Sequence, residues 1–246
     1  MNYIIFDLEF NQKHPDNKDI ATPKLTFEIL QIGAIKLDKN FNTIGEFNGL
    51  VKPTVYSTIH PYVEKLTDIT IDKVNSCNKF PQVFNDFLDF IGDENYTFVV
   101  WGSGDLRELY RNIVFHNIPK ENFNFKYIDI QSYASTYFKY KKGNRIGLKT
   151  AIDMLEIKSL KTFHNALNDA FYTAEIFKVL YNDKIKVKAY KVSPERKRLK
   201  PKSKVDTSAL FYQFEKILKK KLTPEEKELI KLAYIMGKTH QFIKKN

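Results

Sequence analysis

The chain has 246 residues, of which 43% are hydrophobic and 28% charged, with a formal net charge of +11. That balance suits one good-sized globular domain with an appendage, and a single cysteine, Cys77, excludes an intramolecular disulfide and a cysteine-rich metal site, as in a reducing cytosol. The first apolar run spans only about four residues before Asp7, far short of the roughly 7–15 of a secretory core or the ~20 of a membrane span, so a cytoplasmic protein is expected.

In chain order, YIIFDLEF (3–10) reads as a buried strand, EILQIGAIKL (28–37) as a second, and GEFNGLVK (45–52) as a third, returning after a turn at 38–42. PQVFNDFLDFI (81–91) sets Val83, Phe84, Phe87, Leu88 and Ile91 at helical spacing behind Pro81. YTFVVW (96–101) is a short strand broken by Gly102-Ser103-Gly104, and a helix follows over 105–115. A fifth strand is predicted over 125–130, with helices near 131–138, 147–155 and 165–181. Three consecutive strands and then alternating strands and helices predict an α/β fold, a mixed five-stranded sheet covered by helices on both faces.

The C-terminal part differs in composition. Residues 1–182 hold 21 Lys and Arg against 22 Asp and Glu, whereas residues 183–246 hold 19 against 7. The excess charge therefore sits in the tail, which suggests a polyanionic partner such as nucleic acid, or else a solvated linker. Residues 183–206 read as a basic arm, with Lys184, Lys186, Lys188, Arg196, Lys197 and Arg198 as candidate phosphate contacts. Segments 208–221 and 224–236 read as a helical hairpin. Thr223-Pro224-Glu225-Glu226 opens its second helix with an N-cap and capping box, and Gly237 stands where that helix would stop. The hairpin's apolar stripes suit packing against each other, against the body or against a protein partner.

Three constellations could carry chemistry. Asp7 and Glu9 are two residues apart on a strand and so share a face. Either both are exposed, or a hard divalent cation with oxygen ligands relieves their repulsion. Asp105 follows an apolar strand behind glycines, where open α/β sheets place ligands and where an acid can equally cap a helix. His164 and Asp169 lie five residues apart. On one helix they would point roughly 140° apart, so they converge only if His164 precedes a helix capped by Asn165. A histidine so held could take a proton from water, or it could be a partly buried side chain bonded to the chain.

Taken together, Asp7-Leu8-Glu9, Asp105 and His164 to Asp169 resemble the DEDDh 3′→5′ exonucleases, a family with a ribonuclease H-like fold. KLTDI (65–69) resembles that family's L-T-G-I turn. The WGSGD run, Asp129 in YIDIQ, Gly147-Leu148 and HNALNDA are similar to the branch of Eri-like and KapD-type exoribonucleases. The resemblance covers about residues 3–182. It implies two Mg²⁺ or Mn²⁺ ions held by Asp7, Glu9, Asp105 and Asp169, with His164 as general base, and hydrolysis of single-stranded RNA or DNA from a free 3′ end to nucleoside 5′-monophosphates. RNA is the favoured substrate. Phe10 and Asn11 stand where many members carry threonine after the glutamate. Phe10 could stack on a terminal base or sit in the core, and Asn11 could touch the strand. A DNA-directed proofreading enzyme and a non-catalytic or polymerase-associated nucleic-acid-binding module are the alternatives.

Overall fold

The computed structural model describes residues 1–14, 25–92, 95–119, 125–141, 143–159, 161–191 and 206–238. The chain forms two compact units, Met1–Val192 and Ser193–Asn246.

The first unit is built on a six-stranded sheet. Its strands are β1 (Asn2–Asn11), β2 (Glu28–Leu37), β3 (Thr43–Leu50), β4 (Tyr96–Val100), β5 (Lys126–Asp129) and β6 (Lys188–Ala189), in the order β3-β2-β1-β4-β5-β6. β1 pairs antiparallel with β2 and parallel with β4, and β4 is parallel to β5. The carboxyl ends of β1, β4 and β5 therefore lie along one edge. The expected count of five strands becomes six because Lys188 and Ala189 pair antiparallel with Tyr127 and Lys126. Two residues in a lysine-rich stretch carry no alternation by which a strand could be recognised.

Helices cover both faces. α3 (Phe80–Ile91) and α4 (Gly104–Phe115) bury Val83, Phe84, Phe87, Leu106, Leu109 and Ile113 against Ile4, Phe6 and Leu8 of β1. On the other face α5 (Ile130–Tyr137), α6 (Leu148–Met154) and α7 (Ala166–Leu180) pack on Tyr3, Ile5, Ile35 and Val99. Each large apolar side chain removed from water in this way contributes about 1.5–3 kcal/mol. The alternation along β1 thus sends even-numbered residues to one core and odd-numbered residues to the other, and Asp7 and Glu9 continue the odd series.

Two short helices, α1 (Pro61–Thr67) and α2 (Ile71–Asn75), flank the turn at Asp68. At seven and five residues they are too short to show a helical period, and they are held by their ends. His60 and Thr70 cap them by accepting bonds from Tyr62 N and Lys73 N. Asp68 terminates α1 in the left-handed region at φ 57°.

One glycine is required by packing. A methyl group on Gly33 of β2 would lie 2.0 Å from Leu167 N and 2.1 Å from Ala166 C, so a bare backbone there lets the first turn of α7 rest directly on the sheet. The same contact brings Gln31 to α7, where its Oε1 accepts from Ala166 N at 3.0 Å.

In the second unit α8 (Thr207–Leu218) and α9 (Pro224–Lys238) follow one another across a short connection. Thr223 and Glu226 make the reciprocal capping box, Thr223 N donating to Glu226 Oε2 at 2.9 Å and Glu226 N to Thr223 Oγ1 at 3.3 Å. α8 stops three residues earlier than expected, at a left-handed Lys219. α9 is described to Lys238, one residue past Gly237. Tyr212, Ile217 and Leu229 of these helices are exposed. Among the described residues no helix is long and apolar enough to cross a membrane.

Candidate active site

Four separate pieces of chain meet at the carboxyl edge of the sheet. Asp7 and Glu9 come from the end of β1, where a bulge between Glu9 and Phe10 shifts the register from Gln31 to Ile29. Asp105 lies in the first turn of α4, immediately after β4. It is not the helix cap: Ser103 holds that place and makes no side-chain cap bond. Asp169 is in the first turn of α7 and is buried. Asn165 caps α7 by accepting from Asn168 N, which leaves His164 in the preceding loop at φ 62°. From there the His164 N–H donates to Asp169 Oδ2 at 3.1 Å.

Glu9, His164 and Asp169 offer ligand atoms that all lie within 4.8 Å of one another. Asp7 and Asp105 stand outside that trio but share its field. Burial raises the Asp7 carboxyl well above the usual range, and Asp105, Asp169 and Glu9 each push it further. Glu9 is raised to about 8, by burial first and then by Asp169 and Asp105. Asp105 rises to about 7, chiefly through burial, with Arg107 opposing and Glu108 and Asp169 adding to the rise. Asp169 rises to about 6 through burial, offset in part by the His164 N–H and imidazole. Its Oδ1 is buried with no hydrogen-bond partner.

Such a cluster is unfavourable by itself. An orphaned carboxylate oxygen and a donor set dominated by carboxylates fit a hard divalent cation.

The loop bearing His164 is anchored from beneath. Tyr172, fully buried on α7, accepts from Lys161 N at 2.7 Å and donates to Lys161 O at 2.6 Å, and its ring stacks on Phe163 at 4.8 Å. Asn168 Nδ2 donates to Thr162 O at 2.9 Å. Sequence reasoning missed Tyr172 because a tyrosine in an apolar helix carries no sign of which loop it will hold. Gln31, a polar residue between Leu30 and Ile32 in the buried middle of β2, was a signal that could have been used.

Of the other candidates, Asn11 has a fully buried side chain, which donates to Thr58 O at 2.9 Å and accepts from His60 N at 3.0 Å and so holds the loop before α1. Glu28 secures the same loop by accepting from the N–H groups of Thr54, Val55 and Tyr56. Phe10 lies on the face opposite the acids, half-buried against Phe27. Asp129 stands at the same sheet edge, but its charge is taken by Arg145 at 2.8 Å and it caps α5. Lys184, Lys186 and Lys188 are exposed; Arg196, Lys197 and Arg198 fall outside the described residues.

A mixed sheet of this order, with carboxylates gathered at the carboxyl ends of β1 and β4 and beside α7, defines a nuclease of the ribonuclease H-like class. The chain belongs to the RNase T exonuclease family, whose profile matches residues 4–177, and is a hydrolase of its DEDDh type, a 3′–5′ exonuclease acting on nucleic acid. It is 27% identical over 184 residues to the probable 3′-5′ exonuclease KapD of Bacillus subtilis, covering 74% of this chain and 85% of that protein. It is 28% identical over 178 residues to the PolC-type DNA polymerase III of Clostridium perfringens, covering 72% of this chain and 11% of that much longer one. The fold is shared with the nuclease domain of 3′hExo, a DEDDh member solved with rAMP, at a TM-score of 0.65, 19% identity and coverage of 77% and 96%. Exonuclease I of E. coli, solved with a dT13 oligonucleotide, aligns at a TM-score of 0.56 and 17% identity, over 72% of this chain and 40% of that one.

Proposed function

We propose that the protein removes nucleotides one at a time from the 3′ end of single-stranded RNA, releasing nucleoside 5′-monophosphates, with Mg²⁺ or Mn²⁺. The observation that carries this reading is the convergence of Asp7, Glu9, Asp105, His164 and Asp169, drawn from residues 7 to 169, on one edge of the sheet.

Asp7, Glu9 and Asp169 would hold the ions, with Asp105 completing the set. When bound, divalent ions supply Lewis acidity and charge neutralisation for phosphodiester hydrolysis. The chain's own part is to gather the carboxylates and to hold a base. His164 is exposed, at the end of a loop pinned by Tyr172 and Asn168, and close enough to Glu9 and Asp169 to accept a proton from water poised beside them. Its N–H bond to Asp169 ties the base to the metal-holding acid, so that the two move together.

Preference for RNA is supported by the fold shared with 3′hExo, which was solved bound to rAMP. DNA is the second reading, supported by the match to a replicative polymerase. The test uses 5′-labelled RNA and DNA of one sequence, with Mg²⁺, Mn²⁺ or EDTA, and Asp7→Ala as control. A metal-dependent ladder shortening from the 3′ end of RNA faster than of DNA is expected. Faster loss of the DNA would reverse the preference, and intact strands in every lane would remove the catalytic assignment.

A further inference from the structure

Away from the carboxylates, α4 carries a second built arrangement. Glu108 is buried, and its Oε1 accepts from Arg107 Nε at 2.9 Å and from Arg111 Nη1 at 2.8 Å, while its Oε2 is buried without a partner. Both arginines are about half-exposed, with side chains 57% and 52% accessible. Each guanidinium spends one nitrogen on Glu108 and keeps the rest of its fork for a ligand. Two positive charges on one carboxylate leave a net positive spot, and a buried acid costs too much to be spent on decorating a surface. Its effect is to fix two forks side by side.

The neighbours of those forks are aromatic. Tyr190, immediately after β6, packs its ring 6.2 Å from Tyr110 of α4, 5.9 Å from Phe125 and 6.4 Å from Tyr127. Arg107 and Arg111 both lie within electrostatic reach of its hydroxyl. The Tyr190 N–H donates to Phe125 O at 2.8 Å, fastening the end of β6 to the sheet. Lys188 stands opposite Tyr127 in the ladder, so it projects on the same face as that ring. Three half-buried tyrosines thus form a floor with two arginines and a lysine around it.

Asp105 and Arg107 share the first turn of α4 and interact electrostatically. Arg107 and Arg111, four residues apart, project on one side of that helix, roughly 120–160° around its axis from Asp105, so the surface lies beside the carboxylates and not in line with them.

We infer that Arg107, Arg111 and Lys188, over the floor of Tyr110, Tyr127 and Tyr190, form a subsite for single-stranded nucleic acid, gripping phosphates of the strand beyond its reacting end. The inference rests on the proposed function for its ligand, a strand whose 3′ end is held at the carboxylates. Guanidinium forks match phosphate oxygens, and tyrosine rings accept any base face, so the subsite grips without reading sequence. It also assigns a purpose to β6: the first part of the basic segment is stitched to the sheet edge, bringing Lys188 and Tyr190 beside α4.

The test measures binding of a labelled 20-nucleotide RNA in EDTA, where no cleavage occurs, as a function of salt. Arg107→Gln with Arg111→Gln is expected to weaken binding by about 25-fold at 0.1 M salt and to reduce the log–log salt slope by about 1.4, at ~0.7 per lost phosphate contact. Lys188→Gln, on an exposed edge position where folding is not at stake, is expected to reduce the slope by about 0.7. Unchanged affinity and slope in Lys188→Gln and in a folded double variant would overturn the subsite. Displacement of the RNA by polyglutamate as readily as by unlabelled oligonucleotide of equal charge would overturn it in favour of an acidic protein partner. Cleavage by the parent protein is measured alongside. Loss of RNA affinity in the variants with no cleavage by the parent refutes the exonuclease assignment and upholds the subsite, and cleavage with unaltered affinity does the reverse.

Discussion

Glu9→Gln should stabilise the metal-free protein at alkaline pH, and the size of the effect follows from the site. The Glu9 carboxyl is held at about 8 by burial and by Asp169 and Asp105, against an ordinary value of 4.5. Below pH ~4.5 it is protonated in both folded and unfolded chains and contributes nothing to pH dependence. Between there and pH ~8 the unfolded chain ionises it while the folded chain does not, so stability falls as pH rises; above pH ~8 the whole penalty is present. At 1.36 kcal/mol per pH unit the interval between 4.5 and about 8 amounts to about 5 kcal/mol. Glu9 keeps some contact with solvent, which screens part of this, and about 3 kcal/mol is expected at pH 8.5. Urea unfolding in EDTA at pH 5 and 8.5 measures it: glutamine should gain stability over the parent at 8.5 and little at 5. Adding Mg²⁺ or Mn²⁺ should raise the parent's midpoint more than the variant's. Parallel pH profiles for the two proteins, or a variant less stable than the parent at pH 8.5, would refute the argument that the carboxylates repel one another across a cation site.

His164→Ala should lower kcat by about 10²–10⁴ while RNA binding in EDTA persists; single-turnover cleavage measures the first and anisotropy the second. Tyr172→Phe removes the two part-buried bonds to Lys161, at a cost of about 0.5–1.5 kcal/mol each. Because the loop carries His164, kcat should fall with little change in KM. Asp68→Gly relieves a left-handed residue at the end of α1, and a gain of about 0.5–1 kcal/mol is expected in thermal unfolding, less whatever the exposed Lys73 pair contributes.

How far the fold was legible from sequence depended on the strength of local signals. β2 falls on residues 28–37 as read, because a largely apolar segment ended by the Asp38 turn admits few alternatives. α3 and α7 agree to within a residue at each end, the first through its apolar period and Pro81, the second through the Asn165 cap. α1, α2 and β6 are each too short to show a period. The placing of His164 ahead of α7 followed from helical geometry alone, since no helix could bring a residue five positions away onto the same face as Asp169. Illegible parts were those set by distant partners. Asn11 looked like a surface contact because nothing nearby announces that Thr58 and His60 will enclose it. Tyr190 looked like a lone aromatic among lysines until β6 placed it beside Tyr110 and Tyr127.

The same comparison explains how the site survives its own electrostatics. Four acids that repel one another are supplied by segments that could each move away, yet every segment is tied down by neutral groups or compensated charge elsewhere. Gly33 and Gln31 seat the first turn of α7 on β2. Tyr172 and Asn168 fix the histidine loop. Glu28 and Asn11 hold the loop beside the end of β1. Single hydrogen bonds of this kind contribute about 0.5–1.5 kcal/mol each, so several together offset a repulsion of a few kcal/mol. Relaxation of the cluster in the metal-free state is therefore blocked, and the carboxylates remain where a cation can use them. A fold that let them part would be more stable empty and would bind metal more weakly, since reassembling the site would be charged against every binding event.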